Sequence, residues 1–384
     1  MSVKFIHCSD FQIAKPYEWV HDTEKRFQLQ NARLDVFNEI HTAVDKEVVD
    51  FVLIAGDLFD SPTPTNTTVS NTCSAIGKLK VPVYVIPGNH DFGGPGSLWE
   101  AQYFIQEQKA LAPNLHIILE QEKPIELEHA ILFPCPLLRR HEPTDLTTWL
   151  RNFDHMDNKK ARIILAHGSD QTFGSQMPEN EDSTSNYLDF NRLNMEEFDY
   201  VALGDWHGYN KRSDKIYYSG APEIDRFPKG STYDSGNFLI VEAKRSILPI
   251  VTKVKSSKVL WHDFSYQFID ESSFDLFTNE LSIIHQNRTS KDLIKIEISG
   301  SIGLNQFDAL LSLIGTLEAR LIAVRLTNKV KVAPTKDEIE SLKNRPDPTI
   351  ALVANELLEM LSVESQEQEI VQLALRELYL QVNK

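Results

Sequence analysis

Five short apolar runs within the first 245 residues each break off in a polar or glycine-containing segment, and this repeated ending constrains the fold most. Val3–Ile6 runs into Cys8-Ser9-Asp10, Phe51–Ala55 into Gly56-Asp57, and Val83–Ile86 into Pro87-Gly88-Asn89-His90-Asp91. Ile163–Ala166 runs into His167-Gly168, and Tyr200–Leu203 into Gly204-Asp205-Trp206-His207-Gly208. Short β-branched runs bounded by turn residues read as strands. Between the first two, Ala32, Val36, Phe37, Ile40, Ala43 and Val44 recur at helical spacing. Strand–helix–strand alternation predicts a largely parallel sheet covered by helices. Such sheets bind ligands beyond the carboxyl ends of their strands, where all five runs place their polar residues.

Composition narrows the class. The 384 residues, 41% hydrophobic and 24% charged, suffice for two or three domains with real cores. The longest apolar runs are about five residues, too short to span a bilayer. The N-terminus lacks the basic and long apolar regions of a secretion signal. Cys8, Cys73 and Cys135 are odd in number and form no CxxC pair. These features lead us to expect a cytoplasmic protein of a reducing compartment, with no membrane contact. The net charge of −16 argues against adhesion to nucleic acid through the overall field. Residues 1–245 hold 24 Lys and Arg against 36 Asp and Glu, so the acidity is concentrated in the part that carries the strand ends.

Further along, Thr172 to Asp189 is polar and predicts a surface loop, and strands are expected at Ile216–Ser219 and Phe238–Glu242. A boundary is drawn near Pro249. Beyond it, a helix (Ser273–His285), a strand (Leu293–Ile298), a helix (Gln306–Ala319) and a strand (Leu321–Leu326) suggest a small α/β domain. Two amphipathic segments close the chain, one from Ile350 to Leu361 and one from Ile370 to Val382. The expected domains are therefore 1–248, 249–334 and a helical 335–384.

Asp10, Asp57, Asn89, His90, His167, Asp205 and His207 all fall at strand ends. Carboxylate, amide and imidazole together suit divalent metals that prefer oxygen and nitrogen to sulfur. Each residue alone has a plainer explanation: Gly-Asp is a common turn, and a single histidine after a strand is often only a surface group. Gly88-Asn89-His90-Asp91, coinciding with four other polar strand ends, is what makes a metal site the better reading. Asp57 is placed to bridge two ions, and two ions roughly 3.5–4 Å apart can clamp a phosphoryl group.

In this order the motifs Asp10, Gly56-Asp57-Leu58-Phe59-Asp60, Gly88-Asn89-His90-Asp91, Ala166-His167-Gly168 and Gly204-Asp205-x-His207 resemble those of the calcineurin-like metallophosphoesterases. More narrowly, His7-Cys8-Ser9-Asp10 with Ala55-Gly56-Asp57-Leu58-Phe59-Asp60, and later Tyr217-Tyr218-Ser219-Gly220-Ala221-Pro222-Glu223, are similar to SbcD-type nuclease subunits of DNA repair complexes. The resemblance spans roughly residues 1–245. It implies an α/β sandwich of two β-sheets flanked by helices, with a small α/β cap and a helical tail. It implies one metal held by Asp10, residue 12, Asp57 and His207, and a second held by Asp57, Asn89, His167 and residue 205. His90 becomes the histidine that faces the phosphate as general acid, and Asp60 the carboxylate that orients it.

Two positions depart from that pattern. Gln12 and Asp205 stand where the family usually has histidine. A neutral amide oxygen is a weaker ligand than imidazole, and Asp205 adds an anionic oxygen, so Mn²⁺, or else Mg²⁺, is expected at both positions ahead of Zn²⁺. Arg139, Arg140, Lys211, Arg212, Lys215, Arg226 and Lys229 lie near the strand ends and are candidate DNA contacts. The resemblance further implies DNA as substrate, an SbcC-like coiled-coil ATPase as partner and a homodimer. A small-molecule or cyclic-nucleotide phosphodiesterase, and a metal-poor scaffold subunit, remain open alternatives.

Overall fold

The computed structural model describes residues 2–152, 159–170, 186–228, 233–269, 273–285, 288, 290–332, 335–361 and 368–382. The chain divides into two compact units, Met1–Leu260 and Trp261–Lys384. In chain order, the first unit opens with β1 (Ser2–Cys8), α1 (Thr23–Glu47), β2 (Phe51–Ala55), α2 (Asn66–Gly77), β3 (Val83–Ile86), α3 (Gln102–Leu111) and β4 (Leu115–Ile117). It continues with β5 (Ile125–Glu126), β6 (Ala130–Cys135), β7 (Ala161–His167), β8 (Ser169–Asp170), β9 (Tyr187–Leu188) and β10 (Tyr200–Gly204). The short β11 (Asn210–Lys211) and β12 (Ile216–Tyr218) lead to β13 (Asn237–Lys244) and β14 (Ile247–Lys255).

These strands build two six-stranded sheets, ordered β14-β13-β1-β2-β3-β4 and β11-β12-β10-β7-β6-β5. β1 to β4 run parallel in the first, as do β6, β7, β10 and β12 in the second. Side-chain alternation then dictates the layers. Val3, Phe5, Phe51, Leu53 and Ala55 point inward against Leu132, Ile163, Leu165, Tyr200 and Ala202 of the other sheet. Ile6, Cys8, Val52 and Ile54, out of phase with them, meet Val36, Phe37 and Ile40 of α1 and Val69, Cys73 and Ile76 of α2. Because both faces of these strands are covered, they read as unbroken apolar runs. The outer face of the second sheet is covered by Leu150, Phe190, Leu193 and Phe198 of short, irregular turns. Two sheets flanked by helices is the architecture the sequence predicts.

The residue-249 position lies inside β14, which pairs antiparallel with β13 and so belongs to the first sheet. β14 is an edge strand, and the register slips between Glu242 and Lys244, so a missing N–H at Pro249 costs little there.

The second unit contains most of β15 (Leu260–Phe268), then α4 (Ser273–His285), β16 (Asp292–Ile302), α5 (Leu304–Arg320) and β17 (Ala323–Val332). A three-stranded sheet, β15-β16-β17, packs on α4 and α5 through Phe264, Phe268, Phe277, Ile296 and Leu310. α6 (Lys336–Lys343), α7 (Pro348–Leu361) and α8 (Gln368–Val382) follow. Ala354, Leu375 and Tyr379 of this helical tail cluster with Leu304, Val332 and Leu342, so the tail is seated on its own unit. No helix among the described residues is long and apolar enough to cross a membrane.

Candidate metal centre

Beyond their carboxyl ends, β1 and β2 stay in register as loops. The Asp10 N–H donates to the Gly56 carbonyl (3.1 Å), Gln12 N–H to Asp57 (2.9 Å) and Ile13 N–H to Leu58 (3.0 Å). Asp10, Gln12, Asp57 and Asp205 all adopt left-handed backbone, with φ of 56°, 42°, 56° and 100°. Non-glycine residues tolerate this only where the surroundings hold them, and such strain concentrates at functional sites. The restraint on the first loop is Arg33, a fully buried guanidinium on the inward face of α1. It donates to the carbonyls of Phe11 (2.5 Å), Gln12 (3.1 Å) and Asp10 (3.0 Å), and to the Tyr17 hydroxyl (3.0 Å).

Glycine precedes the candidate ligands Asp57 and Asn89 for reasons of space. A Cβ on Gly56 would lie 2.2 Å from His167 Nδ1, and one on Gly88 would lie 2.2 Å from Asp57 Oδ1. Neither contact can be relieved by a flexible side-chain tip. Gly-Asp and Gly-Asn-His-Asp are therefore packing requirements of the site as well as turn signals.

Asp10, Asp57 and His167, all buried, bring ligand atoms within 4.8 Å of one another. The Asn89 amide oxygen lies 2.9 Å from His167 Nε2, and the Asp57 and Asp205 carboxylates stand 3.7 and 3.8 Å from the same nitrogen. His167 Nδ1 donates to the Ala55 carbonyl at 2.8 Å, which orients the ring and turns Nε2 toward the carboxylates. Burial lowers the basicity of this imidazole, but Asp57, Asp10 and Asp205 outweigh it and bring its pKa up to about 9. Burial and the neighbouring carboxylates Asp10 and Asp57 raise Asp205, which His167 and the Ser169 hydroxyl (2.8 Å) partly offset. So much buried negative charge around one imidazole nitrogen suits a divalent cation, which would take the place of the Nε2 proton.

On the far side of Asp10, His207 Nε2 stands 3.9 Å from Asp10 Oδ1. Its Nδ1 lies 2.9 Å from both Asp225 Oδ2 and Arg226 Nη2. Burial works against the Asp225 charge, yet His207, Arg226 and Lys15 together hold its carboxyl well below the usual range. Gln12 reaches His207, its Nε2 lying 3.3 Å from the ring's Nε2, while its Oε1 accepts from Lys15 Nζ at 2.6 Å.

His90 Nδ1 lies 2.9 Å from the main-chain carbonyl of Asp60, whereas the Asp60 carboxylate is 3.9 Å away and faces Lys15 at 3.7 Å. The expected orienting carboxylate is thus replaced by a backbone oxygen of the same residue. His90 Nε2 points toward Asp57 Oδ2 at 4.0 Å. Asp91, the last residue of the motif, is buried and accepts from the N–H groups of Gly88 (2.8 Å) and Phe59 (3.0 Å), tying two ligand loops together. Burial pushes its carboxyl up to about 7, with Asp57 adding to the rise.

The basic candidates separate. Arg226 lies beside the site, its guanidinium 3.1 Å from Asp225. Lys215 donates to the carbonyls of Met195 and Phe198 (both 2.8 Å), Lys211 pairs with Asp214 and Arg212 with Asp170. Arg139 and Arg140 are exposed on a segment that leans on the His90 loop, where the Gly93 N–H donates to the Leu137 carbonyl at 2.8 Å. Lys229 lies outside the described residues, as does most of the polar stretch after Gln171. Trp206 packs, half-buried, against the outer core of the second sheet. Lys15, Arg33 and Asp225 are not singled out by the sequence. Only Arg33 carried a signal, a charge at a position on the apolar face of α1.

The profile of the calcineurin-like phosphoesterase family matches residues 3–235, more than half of the chain. The chain belongs to this family. Among solved structures, similarity is found to GAP50, the anchor in the inner membrane complex of Plasmodium. That match has 14% identity and a TM-score of 0.36, and covers 66% of this chain and 89% of that one. A dimetal phosphatase from Danio rerio matches with 12% identity and a TM-score of 0.34, covering 65% of this chain and 98% of that one.

Proposed function

We propose that the protein is a two-metal phosphodiesterase that cleaves DNA, the nuclease subunit of an SbcD-type repair complex. The observation that carries the reading is the meeting of Asp10, Asp57 and His167 from both sheets, with Asn89, Asp205 and His207 around them. Asp57, Asn89, His167 and Asp205 would hold one ion, and Asp10, Asp57, His207 and Gln12 the other. Ions held there supply Lewis acidity and neutralise phosphate charge. The Asp60 carbonyl fixes the His90 ring with Nε2 directed into the cluster, where it can give a proton to the leaving oxygen. Arg226, with Arg139 and Arg140 at the neighbouring loop, would hold phosphates of the strand.

The small α/β unit favours a polymeric substrate, since hydrolysis of a small phosphodiester needs no second unit. A second reading, the metal-poor scaffold, draws on the contact of Gln12 with Lys15 in place of a ligand histidine. The assay that decides supplies Mn²⁺ with end-labelled linear and single-stranded DNA beside bis-(p-nitrophenyl) phosphate. Cleavage of DNA supports the nuclease reading. Cleavage of the small ester alone supports the small-molecule enzyme, and none of either supports the scaffold.

A partner site is proposed on the tail. Leu352, Met360, Ile370 and Leu373 are exposed there, whereas Tyr379 is buried with its hydroxyl accepting from Asn305. The Leu380 side chain lies outside the described residues. Because the tail covers its own core, docking of a coiled-coil ATPase is better tested by Leu352→Glu with Leu373→Glu than by deletion. Loss of complex with nuclease activity retained supports it, and an intact complex rules it out. Homodimerisation is a further expectation of this reading, checked by sedimentation.

A further inference from the structure

We infer that Lys15 is a positioning residue that governs how the first metal position fills, an inference that rests on the two-metal reading above. An ammonium has protons to donate and no lone pair to offer. The atom of Gln12 that meets Lys15 Nζ at 2.6 Å must therefore be the carboxamide oxygen. The amide N–H₂ is then turned to His207, and its 3.3 Å contact is with Nε2 of the ring. An amide N–H₂ can only donate, so Nε2 is the acceptor and the ring proton sits on Nδ1, facing Asp225 at 2.9 Å with Arg226 Nη2 also 2.9 Å from that nitrogen. The one atom of His207 able to bind metal is thus covered by an N–H group. The oxygen of Gln12 that would join it is held by a cation.

Filling this position requires the Gln12 amide to rotate and to release Lys15. The ammonium also remains as a resident positive charge, 3.3 Å from Asp225 and 3.7 Å from Asp60. A divalent ion arriving beside it meets like charge in a setting that screens poorly. The second position has no counterpart, since no Lys or Arg among the described residues is paired with Asn89, His167 or Asp205. Lys15 therefore makes metal loading sequential, with the His167 position first and the His207 position second.

Calorimetric titration of the full chain with MnCl₂ tests this. The unmodified protein should bind in a tighter and a weaker step, and Lys15→Met should tighten the weaker step by about tenfold or more. The tighter step should not move, and Lys15→Arg should behave as the unmodified protein. A weaker step that Lys15→Met leaves unchanged or weakens further overturns the inference while leaving the two-metal reading standing. Absence of Mn²⁺ binding in every protein overturns both. Should Lys15→Met not fold, ¹⁵N-histidine labelling of the metal-free unmodified protein decides. His207 protonated on Nδ1 with Nε2 accepting supports the arrangement, and His207 protonated on Nε2 overturns it.

Discussion

His167 Nδ1 and the Ala55 carbonyl oxygen stand 2.8 Å apart, joining the last residue of a strand in one sheet to the last residue of a strand in the other. This bond aims Nε2 at Asp57 and Asp205, and Gly56 leaves the space in which it forms. Gly56→Ala would place a methyl carbon where the ring lies, at a φ of +88°. We expect a loss of about 2–4 kcal/mol in stability, from the left-handed strain together with the displaced ring. Mn²⁺ binding at the His167 position should fall with it. Denaturant unfolding and calorimetry on the same protein check both effects.

His90 and Asp60 should respond unequally to substitution. The imidazole is oriented by the Asp60 main chain, which any residue at that position supplies. His90→Ala should lower phosphodiester cleavage by roughly 10²–10⁴-fold at unchanged metal content, as for a lost general acid. Asp60→Ala should lower it far less. Parallel kcat measurements under saturating Mn²⁺ compare the two, and equal losses would return the orienting role to the carboxylate.

What was legible in the sequence follows from range. Phe51–Ala55 and Val83–Ile86 were readable to the residue, because a buried parallel strand must be an apolar run and its ligand loop must open with a polar turn. Ala130–Cys135 escaped notice because Pro134 and the absence of polar ligands at its end gave it no punctuation. Pro249 reads as a break in the sequence, yet it lies within β14, an edge strand that tolerates a proline. The candidate ligands could be named, since each follows its own strand. Lys15, Asp225 and the Asp60 carbonyl could not, because their roles arise from atoms brought together from distant loops. Lys215 shows the converse. Its charge, read as available for phosphate, is consumed by two backbone carbonyls.

Arg33 offers a test of how the first ligand loop is held. Arg33→Met keeps the apolar stem but leaves the carbonyls of Asp10 and Phe11 buried without this donor, while Gln12 keeps the Lys15 N–H at 3.2 Å. The expected cost is at least about 2 kcal/mol, since each unsatisfied buried acceptor costs roughly 1–3 kcal/mol. Arg33→Lys should rescue little of it, because one ammonium cannot reproduce the planar fork that spans the three carbonyls. Thermal unfolding of the three proteins, with proteolysis near residue 12 as the local probe, distinguishes a clamp from a passive core residue. Wild-type stability in Arg33→Lys would contradict the clamp.

His7 makes a pH prediction whose sign is fixed by burial. Its ring lies between the sheets, with Nδ1 accepting from the Tyr200 hydroxyl (2.8 Å) and Nε2 donating to the Leu203 carbonyl (3.2 Å). Burial lowers its pKa from 6.5 to about 3, and the Leu203 carbonyl restores only part of the drop. Between these values the unfolded chain binds a proton that the folded chain refuses, so acid favours unfolding. The contribution is complete above pH 6.5 and is lost as pH falls toward 3, at about 1.4 kcal/mol per pH unit. His7→Gln removes the titration and keeps a polar group between the strands. At pH 7 the variant should be less stable by about 1–3 kcal/mol, the usual cost of a buried hydrogen bond left incomplete. That deficit should shrink steadily from pH 6.5 to pH 4 as the unmodified protein loses stability faster. Urea unfolding midpoints of both proteins across this range measure it, and parallel curves would show that His7 is protonated in the folded state as readily as in the unfolded one.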